Sequence, residues 1–520
     1  MPNDIGDTVE EYSIISGVIA IAALSGPLPK AGVIAAAGVI ALALLHPRRG
    51  GQAAGIAGGL VLAPVLLLAD IWHSPQLGVV HRHPLVAAGI GVAGLAVVLA
   101  LAALIVRRPQ LLAVLALVAL PFRIPIQAGG TTNNLLVPLY LVVAAGSLAF
   151  IWRTLRHGGE ASQPVALRWP WLERLLALYL SLYAIQAIYS GDFEKALQQM
   201  VFFYVPFAVM FCLLRRLDWT ERMLQTCLLV AAGLAIAFAG LGFVEYATKT
   251  LFLNPKLIAA NDVHTYFTVN SVFFDPDIFG RFLALVMILV AAALLYGRER
   301  RVQLGALGVL GVLWAGLVLT LSRSSLAALL VGLGILGALR WRAKPILVTT
   351  AVVIAAGIAA VAISPKTFGL NQGLNGASSG RAGLVSGGWQ LFTHRPVWGY
   401  GSGSFSVRYR ALNAGSTSTL SASHTIAITI ASEQGLIGEL PYLALVVVAA
   451  VLLLQGARCN PYRAAIAAAF VALMFHTQLY ADFLEDPVTW TLLGAGVALA
   501  RAGAPEPAGA AVRQAAPAVA

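Results

Sequence analysis

The sequence predicts an all-α, polytopic transmembrane helical bundle of about 14–16 spans. Three observations predict it. Of 520 residues, 59% are hydrophobic and only 11% are charged, whereas charged residues make up roughly 25% of a soluble domain. The mean hydropathy is +0.83. The apolar runs approach the ~20 residues that carry a helix across a bilayer, and no series of ~10-residue alternating segments points to an outer-membrane barrel. In lipid such a chain pairs its backbone groups inside helices, so its interior is helix packing against helix and lipid.

Arg, Pro and Gly clusters cut the apolar sequence into candidate spans at 13–27, 31–46, 52–71, 84–106, 110–122, 135–152, 172–189, 200–214, 223–245, 282–296, 304–321, 325–339, 345–363, 434–455, 464–480 and 487–500. Several are short and read as tilted or half spans. The net charge of +12 matters through its location. One set of alternate connections holds twenty-one of the 34 Lys and Arg residues, among them Arg48, Arg49, Arg107, Arg108, Arg153, Arg156, Arg215, Arg216, Arg298, Arg300, Arg301, Arg340, Arg458, Arg463 and Arg501. By the positive-inside rule that side is cytoplasmic, which puts both termini there.

The two longest connections, 247–281 and 364–423, then fall on the extracytoplasmic side, where they are too long to be simple turns. The second is expected to be partly helical. The chain divides into N-terminal transmembrane helices (1–246), a loop-bearing region (247–455), C-terminal helices (456–501) and an Ala/Pro-rich, disordered tail (502–520). The acidic N-terminus lacks the basic region of a signal peptide and reads as uncleaved. Cys212, Cys227 and Cys459 lie in or beside apolar runs and form neither a disulfide framework nor a zinc site. No cofactor, metal or nucleic acid is expected.

Arginine near the membrane on the disfavoured side needs a reason. Arg323 stands in Leu321-Ser322-Arg323-Ser324-Ser325, where serine can cap the following helix and the guanidinium sits at headgroup level. Arg381 begins a helical segment in which Arg381, Val385, Trp389 and Phe392 share a stripe, a costly place for a cation unless it meets an anion. That anion is either a carboxylate, such as Asp262, Asp275 or Asp277, or a substrate phosphate bound bidentately. The run Gly399-Tyr400-Gly401-Ser402-Gly403 suits a tight turn as well as a phosphate cradle. His424 sits at a loop-to-helix junction. Glu433, nine residues on, lies on the opposite helix face about 13 Å along the axis, so the two form no simple dyad. It either ends the helix before Gly435 or binds Arg381. Asp275-Pro276-Asp277 and Arg281 mark a helix entrance, and Pro276 suits a helix start.

The order Phe274-Asp275-Pro276-Asp277, Leu321-Ser322-Arg323-Ser324, Gly380-Arg381, Trp389, Pro396-Val397-Trp398-Gly399-Tyr400-Gly401-Ser402-Gly403, His424 and Glu433-Gln434-Gly435-Leu436-Ile437-Gly438 resembles the O-antigen ligase and polymerase superfamily. The resemblance spans about 265–455. The chain departs from it in having Asp277, where the family often has Asn, and Thr425 after the histidine. It implies a membrane glycosyltransferase of the bacterial cytoplasmic membrane that moves a glycan from polyprenyl diphosphate, such as undecaprenyl diphosphate, to a glycan or glycolipid acceptor hydroxyl in cell-envelope polysaccharide biosynthesis. It also implies His424 and Glu433 as catalytic groups and Arg323, Arg381, Arg281 and Trp389 as substrate-binding groups. A transporter or flippase of lipid-linked glycan is the alternative class.

The partition of basic residues makes a testable topology. Single cysteines introduced near Gly373 and near Glu299 should react with an impermeant thiol reagent from opposite membrane sides. Labelling from one side for both would overturn the extracytoplasmic assignment.

Overall fold

The computed structural model describes residues 27–71, 82–128, 131–156, 170–251, 257–258, 261, 266–341, 345, 348–349, 352, 359, 381–413, 423–480 and 482–502. The chain forms helices α1 (Pro27–Leu45), α2 (Arg49–Ile71), α3 (Pro84–Arg107), α4 (Leu111–Ala119), α5 (Val137–Arg156), α6 (Pro170–Ala187), α7 (Phe193–Leu214) and α8 (Glu221–Thr248). It continues as α9 (Pro276–Tyr296), α10 (Arg300–Leu319), α11 (Arg323–Arg340), α12 (Arg381–His394), α13 (Phe405–Leu412), α14 (Ile426–Leu454), α15 (Pro461–Thr477) and α16 (Pro487–Ala502). One short antiparallel hairpin, Ile124–Ala128 against Thr131–Leu135, interrupts the helical architecture between α4 and α5.

Among the described residues ten helices are long and apolar enough to cross a membrane: α1, α2, α3, α5, α7, α8, α9, α10, α11 and α14. The chain is thus a multi-pass helical membrane protein. Four further expected spans are helical at 111–119, 170–187, 461–477 and 487–502 without meeting both criteria. The expected spans 13–27 and 345–363 lie almost entirely or largely outside the described residues, as do the tail beyond 502 and residues 364–380 and 414–422 of loop 364–423. What is described of that loop includes α12 and α13.

Local sequence explains the starts. Asp275 caps α9 by accepting from the Asp277 N–H at 2.7 Å, with Pro276 in the first turn. Ser322 caps α11 through the Ser325 N–H at 3.2 Å, and Asn460 caps α15 through the Tyr462 N–H at 2.9 Å. A π-helical turn at Met200–Tyr204 precedes Pro206 in α7, where the missing proline N–H loosens the hydrogen-bond ladder.

One hydrophobic cluster runs from Val33 in α1 to Ala500 in α16. Alanine-rich α15 is buried along most of its length, which lets α9, α11, α14 and α16 pack around it closely. By contrast α3 presents Ile90 and Val92 outward, at 70% and 68% exposure, an apolar surface suited to lipid. The antiparallel succession of helices gathers the described members of the larger basic set at one end of the bundle. The amino ends of α9, α11, α14 and α16 meet at the other, called here the histidine end.

Two features differ from the sequence reading. α14 starts at Ile426, well before the expected 434, and it is broken at Gly435 (φ 61, ψ −163). In α12 the packed stripe is Leu384, Gly387, Gly388 and Leu391, while Trp389 is 55% exposed. The reason is glycine: a Cβ at Gly388 would lie 2.5 Å from Ile428 Cγ2, so α12 meets α14 through its bare backbone, a contact invisible to apolar periodicity. At Gly435 a Cβ would strike the Val397 carbonyl, and its backbone angles belong to glycine almost alone. Gly435→Ala should therefore destabilise the protein by about 1–3 kcal/mol, read as a lowered unfolding temperature in detergent. An unchanged transition would mean that the break is not needed.

Candidate functional site

At the histidine end, Asp277 is a hub. Its Oδ1 accepts hydrogen bonds from Ser322 Oγ at 2.5 Å and Ser324 Oγ at 3.0 Å, its Oδ2 accepts one from Arg381 Nη2 at 3.2 Å, and its carbonyl accepts from Ser325 Oγ at 3.2 Å. The first turn of α9, the first turn of α11 and the start of α12 are thereby joined. Of the carboxylates considered for Arg381, Asp262 lies outside the described residues, and of Asp275 and Asp277 it is Asp277 that pairs with it. Arg381 Nη1 also donates to the Leu479 carbonyl at 3.2 Å, yet the side chain stays 37% exposed. Arg323 follows the Ser322 cap and is exposed.

His424 adopts φ +62 just before α14, an uncommon backbone for a residue other than glycine, of the kind found at functional sites. Ser423, linked to Thr429 by a 2.9 Å hydroxyl hydrogen bond, and Thr425, donating to the Gln478 carbonyl at 3.0 Å, fix the junction on either side. Burial lowers the His424 pKa below its ordinary value; Arg381 pushes the same way and Asp277 opposes it. The imidazole is therefore neutral at pH 7 and able to accept a proton.

Behind His424 lies Tyr480, its ring 6.0 Å away edge-on, donating its hydroxyl to Asp275 Oδ2 at 3.1 Å. Burial, and secondarily Asp277, raise the Asp275 pKa. The sequence reading named Asp275 and Asp277 but not their serine and tyrosine partners. Those partners sit tens to hundreds of positions away, and only the Asp-Pro-Asp capping pattern hinted that both carboxylates would be held by a helix start.

Arg281 and Glu433, expected as substrate-binding and catalytic groups, are placed differently from the hub. Arg281 is buried and paired with Asp482 at 3.0 Å and Asp486 at 3.1 Å, so its charge is spent inside the protein, tying α9 to the α15–α16 connection. Glu433 is buried, with Oε2 accepting from the Gly403 N–H at 2.8 Å and Oε1 from the Phe405 N–H at 2.9 Å. It does not meet Arg381. Its carboxylate fills the anion-seeking backbone of the Gly-rich run, leaving that run a turn rather than a phosphate cradle. The carbonyls freed by the α14 break are also consumed, Tyr400 N–H donating to Ser432 at 3.3 Å and Gly401 N–H to Glu433 at 2.7 Å.

Trp389 lies beside Phe392, with ring centroids 5.3 Å apart, on an exposed face of α12. A groove of about 720 Å³ runs along Ile185, Ile188, Tyr189 and Arg395 to Gly399; its lining includes none of the hub residues. Among the described residues no group of three or more His, Cys, Asp or Glu side chains could hold a metal ion.

Fold and site together define a polytopic helical membrane protein with a polar Arg-His-Asp cluster at the bundle's end. Residues 308–443 match the family model described as O-antigen ligase, and the resemblance to the O-antigen ligase and polymerase superfamily holds for that segment, which contains Arg323, Arg381, Trp389, His424 and Glu433. Asp277, Arg281 and Tyr480 lie outside it. No curated protein matches the chain.

Because Glu433 receives two backbone N–H groups, Glu433→Gln retains one carbonyl acceptor and turns an NH₂ toward the second donor. Hydrogen exchange at Gly403 and Phe405 should quicken by about tenfold or more, following the ~1.5–3 kcal/mol usual for a hydrogen bond to a charged group. Unchanged protection would show that Glu433 does not hold the loop.

Proposed function

We propose that this membrane glycan-processing protein of the O-antigen ligase type transfers a glycan from a polyprenyl diphosphate carrier to an acceptor hydroxyl, at the histidine end of the bundle. The observation that carries this reading is the pairing of half-exposed Arg381 with Asp277, with His424 within electrostatic reach of both and exposed Arg323 beside the Ser322 cap. A base and two cations are what the reaction needs. The acceptor O–H gives its proton to the His424 imidazole as its oxygen attacks the anomeric carbon. The bond from that carbon to the diphosphate oxygen breaks, its electron pair departing with the diphosphate, whose growing charge Arg323 and Arg381 offset. Diphosphate leaves without a protonated carboxylic acid, so paired glycosidase-like carboxylates are not required.

In this reading Asp277 orients Arg381 and tempers the cationic field around His424, while Arg281 and Glu433 are positioning residues. Trp389 offers an aromatic face for the glycan or its lipid. The site is extracytoplasmic and both termini are cytoplasmic in a bacterial inner membrane, in keeping with the distribution of basic residues. The acceptor is a glycan or glycolipid, which makes the protein a ligase or polymerase of a surface polysaccharide.

Purified protein in liposomes, given polyprenyl diphosphate-linked glycan and acceptor, should release polyprenyl diphosphate as the glycan is transferred. Movement of intact donor across the bilayer without release would favour the flippase reading. His424→Ala should slow transfer by about 10²–10⁴ with donor binding retained, and Arg381→Lys, which keeps charge but loses the planar fork, should weaken donor engagement. Since the His424 pKa is depressed, wild-type rate should stay level down to about pH 6.5, the unperturbed value, and fall only below it as the imidazole takes up a proton. His424→Ala should lack that acid limb. A wild-type rate in His424→Ala would remove it from the reaction.

A further inference from the structure

Far from the histidine end, helix termini bring four arginines together. Arg49 starts α2, Arg215 and Arg216 follow α7, and Arg501 lies in the last turn of α16. Two of them pair with Glu173, in the first turn of α6, whose Oε1 accepts from Arg215 Nη1 at 2.9 Å and from Arg501 Nη2 at 2.6 Å. Arg215 is further held by the carbonyls of Ala43 at 3.4 Å and Leu44 at 3.1 Å, at the carboxyl end of α1.

Arg216 is treated differently. Its guanidinium rests over the Phe150 ring of α5, 4.4 Å from the centroid, within electrostatic reach of Arg215, Arg49 and Arg501. Both its Nη1 and Nη2 are buried, and neither meets an acceptor among the described residues; Arg501 Nε is in the same condition. A desolvated cation among like charges is costly unless an anion joins it. Exposed Trp152, Trp171 and Trp341 lie at this same end, as aromatic side chains do at headgroup depth.

We propose that this arginine cluster is a phosphate-binding site, occupied by the headgroup of an anionic phospholipid, in which Arg216 makes a bidentate contact and Arg501 adds charge. Glu173 spends its charge on Arg215 and Arg501, while the Arg216 Nη atoms meet no acceptor among the described residues. The planar guanidinium suits a phosphodiester, and membrane depth favours the lipid over a soluble phosphate. The site is separate from the transfer site and does not depend on the reaction assigned to it.

The test is thermal unfolding of the full chain in neutral detergent, titrated with phosphatidylglycerol, phosphatidylcholine or inorganic phosphate. Phosphatidylglycerol should raise the unfolding temperature and phosphatidylcholine should not. Arg216→Gln should need about tenfold more phosphatidylglycerol for the same rise, the usual result of losing one charge-assisted contact. Arg216→Lys keeps a cation at the site and should fall between wild type and Arg216→Gln. Protection by millimolar inorganic phosphate, lost in Arg216→Gln, would support the anion site with a soluble source instead of the lipid. Equal protection by both lipids, or a wild-type response in Arg216→Gln and Arg216→Lys, would overturn the proposal.

Discussion

Backbone hydrogen bonding in a medium without water is the constraint on which the histidine end depends. A membrane helix cannot be interrupted in hydrocarbon unless other protein groups satisfy what the interruption exposes. At Gly435 the helix α14 is interrupted, and the segment 396–405 supplies those groups. Leu436 N–H donates to the Pro396 carbonyl at 2.8 Å, and the N–H groups of Tyr400 and Gly401 serve the carbonyls of Ser432 and Glu433. The Gly-rich segment is thus part of the helix's own hydrogen bonding. It is anchored on its far side as well, Ser190 Oγ donating to the Ser402 carbonyl at 2.7 Å and Tyr189 to that of Trp398 at 2.7 Å.

This arrangement explains why two acidic residues near the same end do different work. Glu433 lies within the broken helix and faces backbone N–H groups, so it locks a loop. Asp277 lies one residue inside a capped helix start and faces side chains from two other helices, so it gathers a cation and hydroxyls around a partly open space. The difference follows from what each backbone presents, and residue type alone does not predict it.

The two ends of the bundle also handle arginine differently. At the histidine end two guanidinium groups meet carboxylates: buried Arg281 has Asp482 and Asp486, and half-exposed Arg381 has Asp277 with a carbonyl beside it. At the opposite end Arg215 and Arg501 share Glu173. Buried ion pairs are kept only where geometry repays desolvation. The contrast separates an end whose guanidinium groups face carboxylates from one where the buried Arg216 Nη atoms meet no acceptor among the described residues.

Composition and periodicity by themselves determined the membrane-spanning helical class, the approximate position of most helices, the gathering of basic residues on one side, and the resemblance carried by Arg323, Arg381, His424 and Glu433. These are local or statistical properties, legible because a bilayer imposes a length and a polarity on every span. Tertiary structure alone decided which carboxylate Arg381 meets, that Arg281 is consumed by Asp482 and Asp486, that Glu433 faces a loop, and that Gly388 rather than Trp389 turns toward α14. Each depends on contacts between segments far apart in sequence, or on a glycine whose value is the side chain it lacks, and neither leaves a trace in hydropathy or spacing.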